Sequence, residues 1–479
     1  MKTFSIQVLG CKVNQYESEQ IAALLRHRGL VPAPDGAAAD LRIVHTCSVT
    51  CEAGKKSAQM VRRATRLPVL QAPARGFAVL NNLQTAARTI VTGCWATSDP
   101  AAAAAIPGVD AVIGNMQDLG GRLAELLDQW TTGEATRGET TSAPYDTSVT
   151  QQGSLGGAIS LPLLEQRQST NQRAFLKIQD GCDAFCTYCI IPQLRPKLWS
   201  KPIDECVREA QALVNIGHVE LVLTGIFLGA YGHETALRRR QNASQAEGFS
   251  PGSLGALIES LCQNVQGLRR LRLSSLEPGD LTNDLIAILR SHQECVPHFH
   301  LPLQSGSDAI LRKMNRQYRR DDFLRMIDRV NQAFDRPAIT TDIIVGFPGE
   351  TEQEFEQTLQ VVEHARFIHT HAFSYSPRPR TAAARWTRDF IAPPVANRRS
   401  KMLADVAQVH SLDFRRRFVG ETVEVLVERP RAEATVRHGR CERYFDVQFP
   451  GAPHIETGAA VQVRVETVTA DRTVGTVVC

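Results

Sequence analysis

Apolar and polar positions alternate over residues 3–9 (TFSIQVL), then switch to helical spacing from Asn14 to Arg28, a run that ends before Gly29. A strand pattern follows at Asp40–His45, a helix pattern at Glu52–Arg66 and another strand at Ala87–Thr92. Strand and helix alternating in this way predict a parallel sheet with helices on its faces. Residues 67–84 show no clear period. From Thr131 to Arg173 the chain is rich in Thr, Ser, Gly and Gln, which reads as a linker after a first domain at residues 1–130.

From Ala174 the alternation resumes. Six strands are predicted, at Ala174–Ile178, Val219–Thr224, Leu268–Leu273, Phe299–Leu303, Ile339–Val345 and Thr370–Phe373, with helices between them. The helix at Asp204–Ile216 has Asp204 as its expected N-cap and Gly217 at its end. Six units are too few for a closed eightfold barrel and suit an open, partial one, whose active site lies at the C-terminal strand ends. The strings TGIFLGAYG, SSLEP, LQSGSD and VGFPGE follow those ends. Their glycines permit close backbone approach to a ligand. The polar stretch His233–Ser250 reads as surface decoration. This second domain spans residues 174–414.

Residues 415–479 form a third unit, with short Val-rich strands (TVEVLV, AEATV, YFDVQF, AVQVRVETV, RTVGTVV) separated by Pro and Gly turns. That pattern predicts a small antiparallel β-barrel. From Phe418 to Cys479 its bulk charge is mildly negative, and Arg415–Arg417 form its one basic run, so it reads either as a nucleic-acid binder or as a plain structural barrel. The fold class is therefore α/β and multidomain.

Composition excludes little else. Lys and Arg number 54 against 50 Asp and Glu, so net charge names no partner. No apolar run reaches the length of a membrane span, and the opening residues read as a strand rather than a signal peptide. The expected location is the cytoplasm, where the 12 cysteines favour metal ligation over disulfides.

Cys182, Cys186 and Cys189 stand at C-x-x-x-C-x-x-C spacing in DGCDAFCTYC. Three thiolates hold three irons of a [4Fe–4S] cluster and leave the fourth open, whereas an electron-carrying cluster is closed by four. An open iron binds a small molecule, and this is the signature spacing of radical S-adenosylmethionine enzymes. Structural zinc is the competing reading, but it wants four ligands, and no further Cys or His lies within ten residues after Cys189. In the first domain Cys11, Cys47 and Cys94 each follow a predicted strand, and residues after successive parallel strands gather at one edge. They read equally as a second cluster site or as unrelated cysteines. Cys51, Cys206, Cys262, Cys295, Cys441 and Cys479 match no ligand pattern and read mostly as small buried apolar residues.

LGCKVNQYESE, HTCSVTCEAGKKSAQ, VTGCWAT and VIGN resemble the N-terminal domain of the radical-SAM methylthiotransferases. AFLKIQDGCDAFCTYCIIP, LTGIFLGAYG, RLSSLEP, HLPLQSGSD, TDIIVGFPGET and FSYSPRPRTAAA resemble their central barrel, and the last unit resembles their TRAM domain. LGCKVNQYE and KIQDGCDAFC look most like the MtaB branch, which acts on N6-threonylcarbamoyladenosine beside the tRNA anticodon. Other branches act on isopentenyladenosine there or on a ribosomal-protein aspartate.

The resemblance implies two [4Fe–4S] clusters, one on Cys182, Cys186 and Cys189 and an auxiliary one on Cys11, Cys47 and Cys94. One S-adenosylmethionine would methylate sulfur on the auxiliary cluster. A second would be split at the other cluster, and its radical would take hydrogen from C2 of the adenine. The resemblance further implies that Tyr188 packs on the cofactor, that Thr224 and Gly225 contact its methionine part, and that Ser274, Glu277 and Gln304 lie near ribose or substrate. It implies as partners the tRNA anticodon loop and an electron donor such as a flavodoxin or ferredoxin. Pro196, Trp199, Lys201, Phe227 and Arg380 depart from the family pattern, where Gly, Arg, Arg, Asn and Gly are expected. Those departures leave a catalytically impaired tRNA-binding relative as an alternative.

Overall fold

The computed structural model describes residues 1–34, 38–67, 87–132, 164, 172–236, 253–430, 436–451 and 455–478. The chain divides into two compact units, 1–165 with 190–197, and 166–189 with 198–479. Most of the expected linker, residues 68–84 and most of the polar insertion lie outside the described residues.

The first unit is built on five parallel strands, β1 (Thr3–Val8), β2 (Val31–Pro32), β3 (Leu41–Thr46), β4 (Arg88–Gly93) and β5 (Ala111–Ile113). Their order is β2-β1-β3-β4-β5. Alternation sends Phe4, Ile43 and Ile90 to one face, packed on Ile21, Leu25 and Leu123. Val44 and Val91 go to the other, packed on Val61, Trp95 and Ala103. The helices Lys12–His27, Cys51–Thr65 and Leu119–Thr132 supply most of that cover. Thr50 caps the second by accepting from Ala53 N at 3.0 Å. The edge strands β2 and β5 have two and three residues, too short to set a period in the sequence.

The second unit begins with β6 (Arg173–Lys177), the short antiparallel pair β7 (Gln179–Asp180) and β8 (Trp199–Ser200), then β9 (Glu220–Thr224) and β10 (Arg270–Leu273). It continues through β11 (His298–His300), β12 (Ala338–Val345) and β13 (His369–Ser374). Strands β6, β9 and β10 pair in parallel, as do β11, β12 and β13. Bridges Leu271↔Cys295 and Ser275↔His300 join the two halves, so the expected six-strand partial barrel is present. One local expectation fails. The helix Ile203–Asn215 starts after Pro202, and Asp204 lies in its first turn rather than at the cap. With Glu205 it still places negative charge at the N-terminal end of the helix dipole.

The last strands, β14 (Thr422–Val427), β15 (Val436–Cys441), β16 (Asp446–Pro450), β17 (Ala460–Val468) and β18 (Thr473–Val477), close a barrel in the order β14-β15-β16-β18-β17. The ladder is not wholly antiparallel: β16 meets β18 in parallel at Gln448↔Val474. The predicted strand AEATV mostly falls outside the described residues, and the strand of that region is VRHGRC. The helix Pro393–Arg416 docks on this barrel through Phe414, with Phe418 just beyond it. Arg415 is buried there, donating to Thr473 Oγ1 at 3.1 Å and Ala470 O at 3.0 Å. Its donors serve the fold, not a phosphate.

Charge is buried where the partial barrel meets the terminal one. Arg272 donates Nε to Glu220 Oε1 at 2.7 Å and Nη1 to Glu442 O at 3.1 Å, while Arg270 Nε reaches Glu424 Oε1 at 2.9 Å. The guanidinium groups of Arg173, Arg272 and Arg440 lie 5.2, 4.9 and 4.6 Å from the centre of the Tyr444 ring. Burial alone would raise the Glu220 carboxyl, but Arg272, Arg173 and Arg270 hold it down at about 2. Among the described residues no helix is long and apolar enough to cross a membrane.

Candidate metal-cluster and cofactor site

The loop carrying Cys182, Cys186 and Cys189 leaves the end of β6. The β7–β8 pair and the bond from Lys201 N to Ile178 O (2.7 Å) close its base. Gln179 donates Nε2 to Asp180 O at 2.7 Å and Gly181 O at 2.8 Å, and its Oε1 accepts from Phe227 N at 2.8 Å. One side chain thus ties the turn after β6 to the turn after β9. From the far side, Asn315 Nδ2 donates to Ala184 O and Phe185 O at 3.3 and 3.1 Å. Thr187 binds Met314 O through N at 3.1 Å and Lys313 O through Oγ1 at 2.8 Å. The loop is fixed at both ends.

Cys182 is buried, and burial pushes its thiol up to about 12, opposed by the Ala184 N–H and reinforced by Cys186 and Cys189. Arg316 Nη1 donates to Cys186 Sγ at 3.3 Å, and its Nη2 to Glu277 Oε1 at 2.5 Å. Glu277 is itself placed by Asp280, whose carboxylate accepts from Glu277 N at 2.8 Å. The Tyr188 ring packs edge-on to Phe347 with centroids 6.4 Å apart, in a cluster with Ile310, Met314 and Ala383.

Thr224 ends β9 and Gly225 follows it, while Ser274 directly follows β10; Thr224 and Ser274 are buried. A Cβ on Gly225 would stand 2.9 Å from Gln179 Oε1, so that turn has room only for glycine. Gln304 sits at φ 61° beyond β11, its N donating to Asp342 O at 2.8 Å and its O accepting from Ile344 N at 2.9 Å. These residues stand at successive C-terminal strand ends, where a parallel barrel binds its ligand. The structure brings Glu277 to the cysteine loop through Arg316. Sequence reading missed Arg316 and Gln179, whose partners are distant in the chain or look like ordinary polar positions.

In the first unit Cys11 caps the helix Lys12–His27, Cys47 follows β3 and Cys94 opens a short helix after β4. Cys47 and Cys94 are buried and Cys11 is exposed. Gly10 is at φ 133°, and a Cβ there would lie 3.2 Å from Cys47 Cβ. Asn14 donates Nδ2 to Leu9 O at 2.9 Å and Thr46 O at 3.0 Å, stitching the loops after β1 and β3. Asn115 donates to Cys94 Sγ at 3.5 Å. Burial pushes the Cys94 thiol up to about 11, Arg195 opposes it, and Cys11 and Cys47 add to it. Arg195, from the 190–197 segment, pairs with Glu17 through two bonds of 2.8 Å. Asn14, Glu17 and Asn115 went unnoticed in the sequence, although CKVNQYE and VIGN contain them.

Neither cysteine triple draws its three sulfurs within 4.8 Å of one another. A single tetrahedral zinc, with Zn–S near 2.3 Å, needs sulfurs about 3.8 Å apart. Iron–sulfur clusters instead give each cysteine its own iron, and need N–H groups aimed at sulfur and a shielded pocket. Both donor sets fit a cluster better than an ion.

Models of the radical SAM superfamily and of the uncharacterized protein family UPF0004 match residues 176–362 and 3–114. The threonylcarbamoyladenosine tRNA methylthiotransferase MtaB of Bacillus subtilis is 33% identical, over 97% of this chain and 94% of its own. The tRNA-2-methylthio-N(6)-dimethylallyladenosine synthase of Erythrobacter litoralis is also 33% identical, over 96% and 94%. The chain belongs to the radical-SAM methylthiotransferases. It is a transferase of that family, with S-adenosylmethionine and a [4Fe–4S] cluster as cofactors. The fold resembles that of the radical S-adenosylmethionine methyltransferase TsrM of Kitasatospora setae, at TM-score 0.53 and 14% identity over 80% of this chain and 77% of that one.

Four of the five departures from the family pattern have a defined place in the structure, and nothing in it explains Pro196. Trp199 lies in β8 and pairs with Asp180. Lys201 is buried and bonds Glu209. Phe227 donates its N–H to Gln179, a bond that any residue there makes. Arg380 occupies φ 70°, the left-handed region in which the family's glycine costs nothing.

Proposed function

We propose that this enzyme adds a methylthio group to C2 of N6-threonylcarbamoyladenosine beside the anticodon of tRNA, in the cytoplasm. The observation that carries this reading is the pair of three-cysteine groups, one on the single loop after β7 and the other spread over the turns that follow β1, β3 and β4. Cys182, Cys186 and Cys189 would hold the cluster that meets S-adenosylmethionine, and Cys11, Cys47 and Cys94 an auxiliary cluster. Bound there, the two clusters would supply reductive cleavage of the cofactor to a 5′-deoxyadenosyl radical and a place for the sulfur that is transferred.

The protein's own contribution is position and shielding. Arg316 donates to both Cys186 Sγ and the Glu277 carboxylate, which holds the two side by side. Tyr188, Thr224, Gly225, Ser274 and Gln304 would line the cofactor at the strand ends. An aromatic C–H is too strong and too weakly acidic for side-chain bases, so a radical route is needed. An electron donor such as a flavodoxin or ferredoxin would complete the turnover. The auxiliary site would belong to a first domain at 1–130, the S-adenosylmethionine site to a second at 174–414, and a third at 415–479 would be the terminal barrel.

Relatives named for two different adenosines are equally similar, and LGCKVNQYE favours the threonylcarbamoyl substrate. Mass spectrometry of tRNA nucleosides from a host lacking the gene tests the reading. Loss of methylthio-threonylcarbamoyladenosine, restored by the wild-type gene, supports it; loss of the isopentenyl form instead reassigns the substrate.

A further inference from the structure

Cys262 and Cys295, which match no ligand spacing in the sequence, come together in the fold. Cys262 lies in the last turn of the helix Leu254–Asn264, and His292 directly follows the helix Asn283–Ser291. One ligand atom from each of Cys262, His292 and Glu294 lies within 4.8 Å of the other two. Cys295 follows Glu294 directly and its thiol interacts with that of Cys262, although it does not lie within 4.8 Å of all three of those ligand atoms. We propose that Cys262, His292, Glu294 and Cys295 form a Zn2+ site, distinct from both cluster sites and independent of the substrate assigned above.

The donor types, two thiols, one imidazole nitrogen and one carboxylate oxygen, are all ones that zinc takes, with three of them already converged and Cys295 next in the chain to complete the set. Soft sulfur with imidazole selects zinc over magnesium or calcium. The backbone that presents the ligands is fixed. Cys295 N bonds His292 O at 3.1 Å, which closes a turn between them. Leu271 N bonds Glu294 O at 2.7 Å and Val296 N bonds Leu271 O at 3.1 Å, which anchors the loop to β10. Ligands on anchored backbone lose little freedom on binding. Binding converts two thiols to thiolates, releases two protons and changes no oxidation state.

A second group of donors shows what a poor site looks like. Glu428, His438 and Asp446 also converge within 4.8 Å, but Arg173 and Arg440 stand 3.5 and 3.6 Å from Glu428 and already balance its charge. No arginine or lysine among the described residues makes an ion pair with Glu294 closer than 4.0 Å. The zinc would tie the helix Leu254–Asn264 to the chain entering β11, closing a loop that contains β10, Ser274 and Glu277. It would stiffen the segment that presents Glu277 to Arg316.

The test uses the full chain, reconstituted anaerobically with iron and sulfide, exposed to zinc and desalted. Elemental analysis should find about one zinc per chain, and zinc-edge X-ray absorption two sulfurs near 2.3 Å with two lighter atoms near 2.0 Å. His292→Asn and Cys262→Ser should each lower zinc at least tenfold while the iron content, which reports folding, stays unchanged. Zinc content untouched by either substitution overturns the proposal. So does a Cys262–Cys295 disulfide in the anaerobic protein.

Discussion

Arg316 and Cys186 meet through an N–H···S bond of 3.3 Å, although 130 residues separate them. An N–H directed at a ligating sulfur drains charge from it and raises the reduction potential of the cluster it holds. Arg316→Gln should therefore leave iron on Cys182, Cys186 and Cys189 but shift the potential to more negative values. Formation of 5′-deoxyadenosine should fall about tenfold or more. Potentiometry followed by electron paramagnetic resonance checks the first effect, and chromatography of the nucleoside the second.

Glu220 is nearly fully buried between Arg270 and Arg272. Removing its charge leaves two guanidinium groups short of a partner, so Glu220→Gln should cost about 3–5 kcal/mol in urea unfolding. Its folded pKa of about 2 lies below the ordinary 4.5. The group therefore stabilises the fold fully above pH 4.5 and loses that contribution as pH falls from there toward 2. The wild type should lose about 3 kcal/mol across this window, and the variant should lack that part of the acid limb.

Much of this was legible in the chain, and the reasons are specific. Cys11, Cys47 and Cys94 each follow a strand whose period is clear, so a parallel sheet places them at one edge before any coordinates are known. The six strands of the partial barrel were legible for the same cause. What alternation does not reveal is whether the polar face of a strand meets water. In LRRLRLSS the arginines look like solvent-facing positions, yet Arg270 and Arg272 are 2% exposed and bound to Glu220, Glu424 and Glu442. Partners 50 to 170 residues away leave no local trace. Cys262 and His292 are hidden in the same way, since only the packing of two helices brings them together.

Arg380 holds a left-handed backbone at φ 70° without glycine's freedom. Arg380→Gly should relax that strain and raise stability by about 1 kcal/mol, read as a shift in the urea midpoint at unchanged slope. An unchanged or lower midpoint would mean that the arginine side chain contributes more contact than its backbone costs.

Substitution of Cys94 distinguishes the two proposed cluster sites. Cys94→Ala should lower iron from about eight to about four per chain. Production of 5′-deoxyadenosine should stay within a few-fold of wild type, while methylthio transfer to tRNA disappears. Iron assay, nucleoside chromatography and tRNA mass spectrometry on one preparation check all three.

The account depends most on the open three-cysteine site at residues 182–189. Its most direct test is 5′-deoxyadenosine yield from reconstituted wild-type and Cys186→Ala protein given S-adenosylmethionine and a strong reductant. Turnover by the wild type and none by the variant is the predicted result; equal yields from both would contradict it.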